Sequence, residues 1–269
     1  MKGLLKKGSA VAGAIISVIF TVVPEEAFKC GFVDCNFSDT AIIITNRVIV
    51  GVVVLALSII GCYIYRCIRC SVKIDNRIFS IKVEYKNLFK AKKGKKVINF
   101  DECFSTNVGD KTKDIKPGSV CGQYLLQNPN LAIQKLISDA GVQPAGKSKY
   151  KGKVAYAPGT IVPNGAFLLM AFAKLDEKGR GKLTYEEYLE CLNVLWEQID
   201  SNHGTDDVYI PILGSGITRL GKDLTQQELL DIMIASYSVS PYRIKKPNVL
   251  HIVCRRQDGF SLNDVFGVN

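Results

Sequence analysis

The stretch VYIPILGSGITRLG, Val208–Gly221, opens as an unbroken apolar run and closes in a turn of small residues with an arginine behind it. An apolar run without polar alternates reads as a strand covered on both faces, the habit of sheets flanked by helices. The turn lies between that strand, ending near Leu213, and a helix opened by Thr225, whose capping-box partner Glu228 follows three residues on. In such sheets ligands collect where strands end and loops lead to helix N-termini. Gly214 and Gly216 have no side chain to block approach, so the N–H groups from Ser215 to Arg219 can curl around an anion, and Ser215 and Thr218 can add hydroxyl donors. A diphosphate suits this loop, although a glycine turn with no ligand explains the same letters.

Two other phosphate loops are excluded. No G-K-[ST] follows a four-residue spacer, and the glycines come after a late strand instead of the first βα turn of a dinucleotide fold. Nucleoside triphosphate hydrolysis is therefore not supported.

Outward from the loop, helix and strand signals alternate. RIFSIKVEY and KKVINF are rich in β-branched and aromatic residues; GQYLLQNPNLAIQKLISDAG holds a helical run; GKVAYAPGTIV returns to strand. TYEEYLECLNVLWEQIDSN is a periodic amphipathic helix, TQQELLDIMIASYSV another, and PNVLHIVC an apolar strand. The pattern predicts an α/β domain, residues 71–269, built on a mixed sheet flanked by helices.

The first seventy residues read differently. No charged side chain occurs from Gly8 to Val23 or from Val48 to Tyr65. At about 1.5 Å per residue, each run covers most of a hydrocarbon layer of ~30 Å. With flanking residues the expected spans are about 8–27 and 43–65, a two-helix transmembrane hairpin within residues 1–70. Lys2, Lys6 and Lys7 precede it and Arg66, Arg69 and Lys73 follow it, whereas the connecting loop carries Glu25, Glu26, Asp34 and Asp39 against Lys29 and Arg47. This bias predicts a multi-pass protein of the cell inner membrane with both termini and the α/β domain in the cytoplasm. Ser9, Gly13, Ser17 and Thr21 recur at four-residue spacing, a stripe that can pack the first helix on the second or join copies of the chain. Cys30 and Cys35 lie in the outer loop, where oxidation is permitted; Cys103, Cys121, Cys191 and Cys254 are expected reduced.

The formal net charge is +10, gathered at Lys90–Lys96, Lys111–Lys116 and Lys147–Lys153. A basic surface suits anionic lipid, nucleic acid or a phosphorylated small molecule. Stacking aromatics are not interleaved with these lysines, so no nucleic-acid partner is expected. Cys67 and Cys70 form a C-x-x-C without a second pair, and no metal is expected there. DEKGRGKLTYEE, Asp176–Glu187, has the length of a calcium loop, but Lys178 and Arg180 occupy positions that need oxygen ligands. It reads instead as a polar turn before a helix.

An apolar strand followed by P-x-L-G-S-G-x-x-R resembles the second phosphate loop of the macro domain, the α/β module that binds ADP-ribose. KVINFDECFSTNV is similar to that fold's strand and first loop, IKPGSVCGQYL to the segment entering its next helix, and YAPGTIV to its central strand. The order of two membrane helices, a divergent macro domain and FLLMAFAKLDEKGRGKLTYEEYLECLNVLWEQID resembles the membrane-anchored macro effector of Thoeris antiphage systems.

The resemblance implies a function. A TIR-domain partner consumes NAD and releases an ADP-ribose-containing signal such as histidine-ADP-ribose; the macro domain receives it, and the helices then disrupt the bilayer and end the infected cell's life. It also implies a homo-oligomer, no cofactor apart from the ADP-ribose-derived ligand, and no catalytic residue. Gly214, Ser215, Gly216, Ile217, Thr218 and Arg219 match the family's diphosphate loop. Ser119, Gly122 and Gln123 fall where the first loop meets the distal ribose, with Phe100 and Asp101 at the bordering strand end. Asn87 stands where many macro domains place an acid against adenine. The alternative is a membrane-tethered ADP-ribosyl hydrolase, but the hydrolysing members carry an asparagine-rich strand end followed by a glycine run, and the matching stretch NFDECFSTNVGD has no glycine run. Asp101 can serve as a base, whereas Cys103 has nothing adjacent in sequence to lower its pKa.

Overall fold

The computed structural model describes residues 2–29, 38–216, 219–220 and 224–267. The chain divides into two compact units, Met1–Arg69 and Cys70–Asn269.

The first unit consists of helices α1 (Lys2–Val22) and α2 (Asp39–Ile68). Both are long and apolar enough to cross a membrane. α1 stops at Val22, short of residue 27, because Pro24 lacks an amide donor; a 3-10 turn, Glu25–Phe28, follows. The helices run antiparallel. Gly8 backs onto α2 so closely that a Cβ there would lie 2.9 Å from Ile59 Cγ1, and Ala12, one turn on, is buried. At the other end the Arg47 guanidinium lies over the rings of Phe20 and Phe28 and pairs with Glu25 at 3.1 Å. Asn46 Nδ2 donates to the Phe28 carbonyl at 2.8 Å. The seam is therefore one residue away from the Ser9, Gly13, Ser17 and Thr21 stripe, whose members are exposed. One residue rotates a helix by about 100°, enough to turn that stripe off the contact. Cys30 and Cys35 lie outside the described residues.

The second unit comprises β1 (Ser71–Asp75), β2 (Ser80–Tyr85), β3 (Lys95–Asp101), α3 (Val120–Gln127), α4 (Ile133–Asp139), β4 (Gly146–Lys147), β5 (Val154–Ala155), β6 (Ile161–Asn164), β7 (Phe167–Leu175), β8 (Gly181–Leu183), α5 (Tyr185–Asn202), β9 (Val208–Pro211), β10 (Arg219–Leu220), α6 (Gln226–Val239) and β11 (Leu250–Cys254). The main sheet has the order β1-β2-β11-β9-β3-β7-β8-β10, with β6 also on β7. Its middle, β2, β11, β9, β3 and β7, is parallel throughout. Antiparallel strands flank it: β1 on β2, and β6 and β8 on β7. This is the mixed α/β sheet expected from the sequence.

Alternation along the parallel strands feeds two cores. Val97, Leu168, Met170 and Phe172 point to the layer of α5 and α6, where Trp196, Tyr188 and Tyr237 are buried. Ile98, Phe100, Leu169 and Ala171 point to the layer of α3 and α4, around Tyr124 and Phe104. Capping boxes start α5 at Thr184 with Glu187 and α6 at Thr225 with Glu228. The interior strand next to β3 is β7, not the YAPGTIV segment. Within that segment, Gly159 takes φ +94° and lies under α5, where a Cβ would come 2.6 Å from the Cys191 carbonyl oxygen. A left-handed turn pressed against a helix cannot continue a strand, so only Ile161–Asn164 extends.

Candidate functional site

A cleft of about 680 Å³ opens at the carboxyl ends of β2, β11, β9, β3 and β7. Its base is apolar, with Phe100, Phe172 and Val253 on the lining. Phe100 is only 2% exposed and packs on Phe104 and Tyr124, so it supports the cleft as a core ring.

The loop after β9 forms one wall. Leu213 fixes its start: the Leu213 amide donates to Met233 Sδ at 3.4 Å, and the Leu213 carbonyl accepts from Tyr188 Oη at 3.2 Å. α5 and α6 thus both hold the strand end. Gly214 then takes φ +79°, a conformation that costs other L-residues steric strain. Ser215 Oγ donates to the Ile212 carbonyl at 2.8 Å. Its hydroxyl hydrogen is therefore spent within the loop, a correction to the expected donor role of that hydroxyl. Among the described residues, a Cβ on Gly216 would meet nothing within 4 Å. Gly214, Ser215 and Gly216 line the cleft. Arg219 opens β10, with its Cα opposite Lys182 of β8. Ile217 and Thr218 lie outside the described residues.

The N-terminus of α3 forms a facing wall. Ser119 caps it, accepting from the Gly122 amide at 3.0 Å and donating to the Lys116 carbonyl at 2.7 Å. Gln123 Nε2 donates to the Gly118 carbonyl at 3.0 Å. Ser119 and Gln123 line the cleft; Gly122 lies behind it. A Cβ on Gly122 would be 2.1 Å from the Lys116 carbonyl oxygen, so this glycine lets the preceding loop lie over the helix.

Asp101 also lines the cleft. Its Oδ1 accepts from the amides of Cys103 at 2.9 Å and Ser105 at 3.1 Å, while burial holds the carboxyl above its usual pKa. Burial likewise pushes up the Cys103 thiol, which keeps it protonated and argues against a nucleophile. Asn87 lines the opposite end, but its Oδ1 caps the turn after β2 by accepting from the Phe89 amide at 2.9 Å. The acceptor expected to face an exocyclic amine is thereby engaged. His251 is buried against Glu84 at 2.9 Å. Among the described residues no group of three His, Cys, Asp or Glu stands close enough to hold a metal.

Sequence reasoning missed one wall. The turn joining β7 and β8 brings Leu175 and Gly179–Gly181 onto the lining, next to residues 112–116. Gly179 takes φ +76°, and a Cβ there would be 3.1 Å from both Lys113 Cβ and a Tyr150 ring carbon. Arg180 Nε and Nη2 each lie 2.7 Å from Asp176 Oδ2. The signal was present in the first and fifth positions of the calcium-like loop, where an acid and a cation stand together.

A parallel-centred mixed sheet, helices on both faces and a ligand-sized cleft at the strand ends, walled by a glycine loop and a helix N-terminus, define a protein of the macro-domain class. Residues 81–255 match the family described as Thoeris protein ThsA, Macro domain. The chain belongs to that family. It is 27% identical over 259 residues to the Thoeris protein ThsA of Bacillus amyloliquefaciens (strain Y2), covering 92% of this chain and 85% of the relative. Among solved structures, an Oceanobacillus iheyensis macrodomain mutant with ADPR aligns at 11% identity and a TM-score of 0.45, over 72% of this chain and 92% of that one. The macrodomain of the same organism with ADP aligns at 8% identity and a TM-score of 0.41, over 70% and 89%. At these scores the structural likeness adds nothing to the family match.

Proposed function

We propose that the protein is a membrane effector of Thoeris antiphage defence whose macro domain, residues 71–269, binds an ADP-ribose-derived signal in the cytoplasm. Binding of a conjugate such as histidine-ADP-ribose, made by a TIR-domain partner, triggers disruption of the inner membrane by the hairpin and abortive infection. The observation that carries the ligand assignment is the glycine loop: Gly214–Gly216 line a cleft of about 680 Å³ with backbone, and Gly216 opens to empty space. Backbone amides in such a concavity favour an anion that side chains would exclude. Family membership supports the defence role, and two helices of membrane-spanning length support the anchor. Receptor chemistry is favoured over ADP-ribosyl hydrolysis by the Asp101 carboxylate oxygen already engaged with two amides and by the buried, protonated Cys103.

The test uses the full chain in vesicles of anionic phospholipid loaded with a self-quenched dye. Histidine-ADP-ribose is expected to bind, to remain intact and to release the dye. Binding without release overturns the membrane part; release of free ADP-ribose restores the hydrolase; no binding overturns the reading of the cleft.

A further inference from the structure

The chain carries no acidic residue between Asp139 and Asp176, and Lys147, Lys149, Lys151 and Lys153 fall inside that gap. The fold gathers them on a ribbon apart from the main sheet: β4 pairs with β5 antiparallel, Lys147 opposite Val154. The ribbon is anchored from beneath. Ser148 is buried, and its Oγ donates to Oε1 of the buried Glu102, which also accepts from the Leu175 amide at 3.0 Å. All four lysines are exposed, and Val154 among them is 50% exposed.

The tip is built against conformational preference. Tyr150–Lys153 is a turn closed by the Lys153 amide donating to the Tyr150 carbonyl at 3.3 Å, with Lys151 at φ +57° and Gly152 at φ +60°. Two left-handed residues in succession suit Asn-Gly or Gly-Gly; a lysine there sets a cation at the tip at a cost in backbone strain. The turn joining β7 and β8 brings in a further lysine. A Cβ on Gly179 would be 3.1 Å from both a Tyr150 ring carbon and Lys113 Cβ, so the runs Lys111–Lys116 and Lys147–Lys153 meet at this glycine.

The acids around this patch are engaged elsewhere. Glu187, whose ionised form Lys149 favours, is paired with Lys174 at 2.7 Å. Asp176 is paired with Arg180 at 2.7 Å, and Glu177 is followed directly by Lys178. Asp114 accepts from Asn107 Nδ2 at 3.0 Å and the Lys111 amide at 3.2 Å. Lys153 acts on the buried Asp101. Among the described residues no ion pair holds Lys113, Lys147, Lys149 or Lys151.

Two features select the partner. A single-stranded nucleic acid needs a stacking ring, but Tyr150 has the Lys151 and Lys153 ammonium groups 5.5 Å from its ring centre and Gly179 against its edge. An exposed valine between lysines suits instead the boundary of a bilayer, where apolar side chains enter and cations meet anionic headgroups.

We propose that the β4–β5 ribbon, with Lys113 beside it, is a docking surface for anionic phospholipid headgroups that holds the α/β unit on a bilayer. The inference rests on the membrane reading of α1 and α2. Under that reading the second unit, which begins at Cys70 just past the end of α2, is tethered at a lipid surface.

The test is acetylation footprinting by mass spectrometry of the full chain in nanodiscs of phosphatidylcholine, alone or mixed with phosphatidylglycerol. In the mixed discs Lys147, Lys149 and Lys151 are expected to react roughly tenfold more slowly than in the neutral discs, with high salt removing the difference. Val154→Asp, at an exposed site, is expected to return these lysines to their neutral-disc rates. Lys151→Asn suits the left-handed turn, so it should raise the thermal midpoint yet weaken the protection of Lys147 and Lys149 about fivefold. A merely structural role for Lys151 would not separate those two readouts. Equal rates in the two kinds of disc overturn the proposal. Equal slowing at Lys90, Lys92 and Lys93 overturns the assignment to this ribbon, and protection by added duplex DNA or RNA in neutral discs overturns the choice of lipid. A chain that does not enter the discs removes the membrane reading and this inference with it.

Discussion

The loop after β9 and the turn between β7 and β8 border the same cleft, yet one offers backbone and the other a side chain. Gly214 and Gly216 bring backbone without side chains to the lining, and the start of their loop is set from behind by Tyr188 and Met233 holding Leu213. Along Asp176–Gly181 the polar surface is a guanidinium fixed by a carboxylate four residues earlier. Backbone amides cannot be recruited to a new ligand without refolding the loop, whereas a side-chain cation can be replaced by one substitution.

The sharpest way to break this comparison is Gly216→Trp. A Cβ at 216 meets open space, so the fold is expected to survive, with an unchanged thermal midpoint, while the indole fills the cleft. Affinity for ADP-ribose should fall roughly 100-fold or more, since several hydrogen bonds to a charged group are lost together. Unchanged affinity in calorimetry would remove the diphosphate from this loop.

Gly214→Val separates geometry from access. At φ +79° a β-branched residue carries strain of about 1–3 kcal/mol. Thermal denaturation should show a clear drop in stability, with binding weakened because the loop shifts. A variant as stable as the wild type would show that the left-handed turn is not required.

The smallest effect is expected at Asp101. Burial raises this carboxyl, so the folded protein keeps its proton to a higher pH than an exposed aspartate does. Protonation removes a negative charge from beside an anionic ligand; affinity for ADP-ribose should therefore rise as pH falls through the raised pKa. Asp101→Asn keeps the oxygen that accepts from Cys103 and Ser105, and it should bind about threefold more tightly at neutral pH with a flatter pH profile. A profile identical to the wild type would place the ligand away from Asp101.

Legibility followed the range of the interactions involved. The α5 and α6 starts were readable because a capping box is written in four consecutive letters. The glycine loop was readable as a loop because it stands between an apolar strand and a capped helix, although a glycine turn with no ligand would be written in the same letters. β7 was not read as a strand, since FLLMAFAKL carries no period that separates a buried strand from a buried helix. Arg180 was visible only as an obstacle to calcium. The roles of Ser119, Gln123 and Asn87 were blurred for another reason: each is a polar residue of cleft-lining type whose hydrogen bonds turn out to be local, to Gly122, Gly118 and Phe89.

By itself the sequence determined the α/β pattern, the two long apolar helices and the glycine loop at a strand end, because periodicity, charge and capping act over a few residues. Tertiary structure alone decided the central place of β7, the face of α1 that meets α2, and the company of Arg180 in the cleft. These depend on contacts between segments far apart in the chain, where a rotation of one residue or a left-handed turn changes which side chains meet, and no local pattern records that choice.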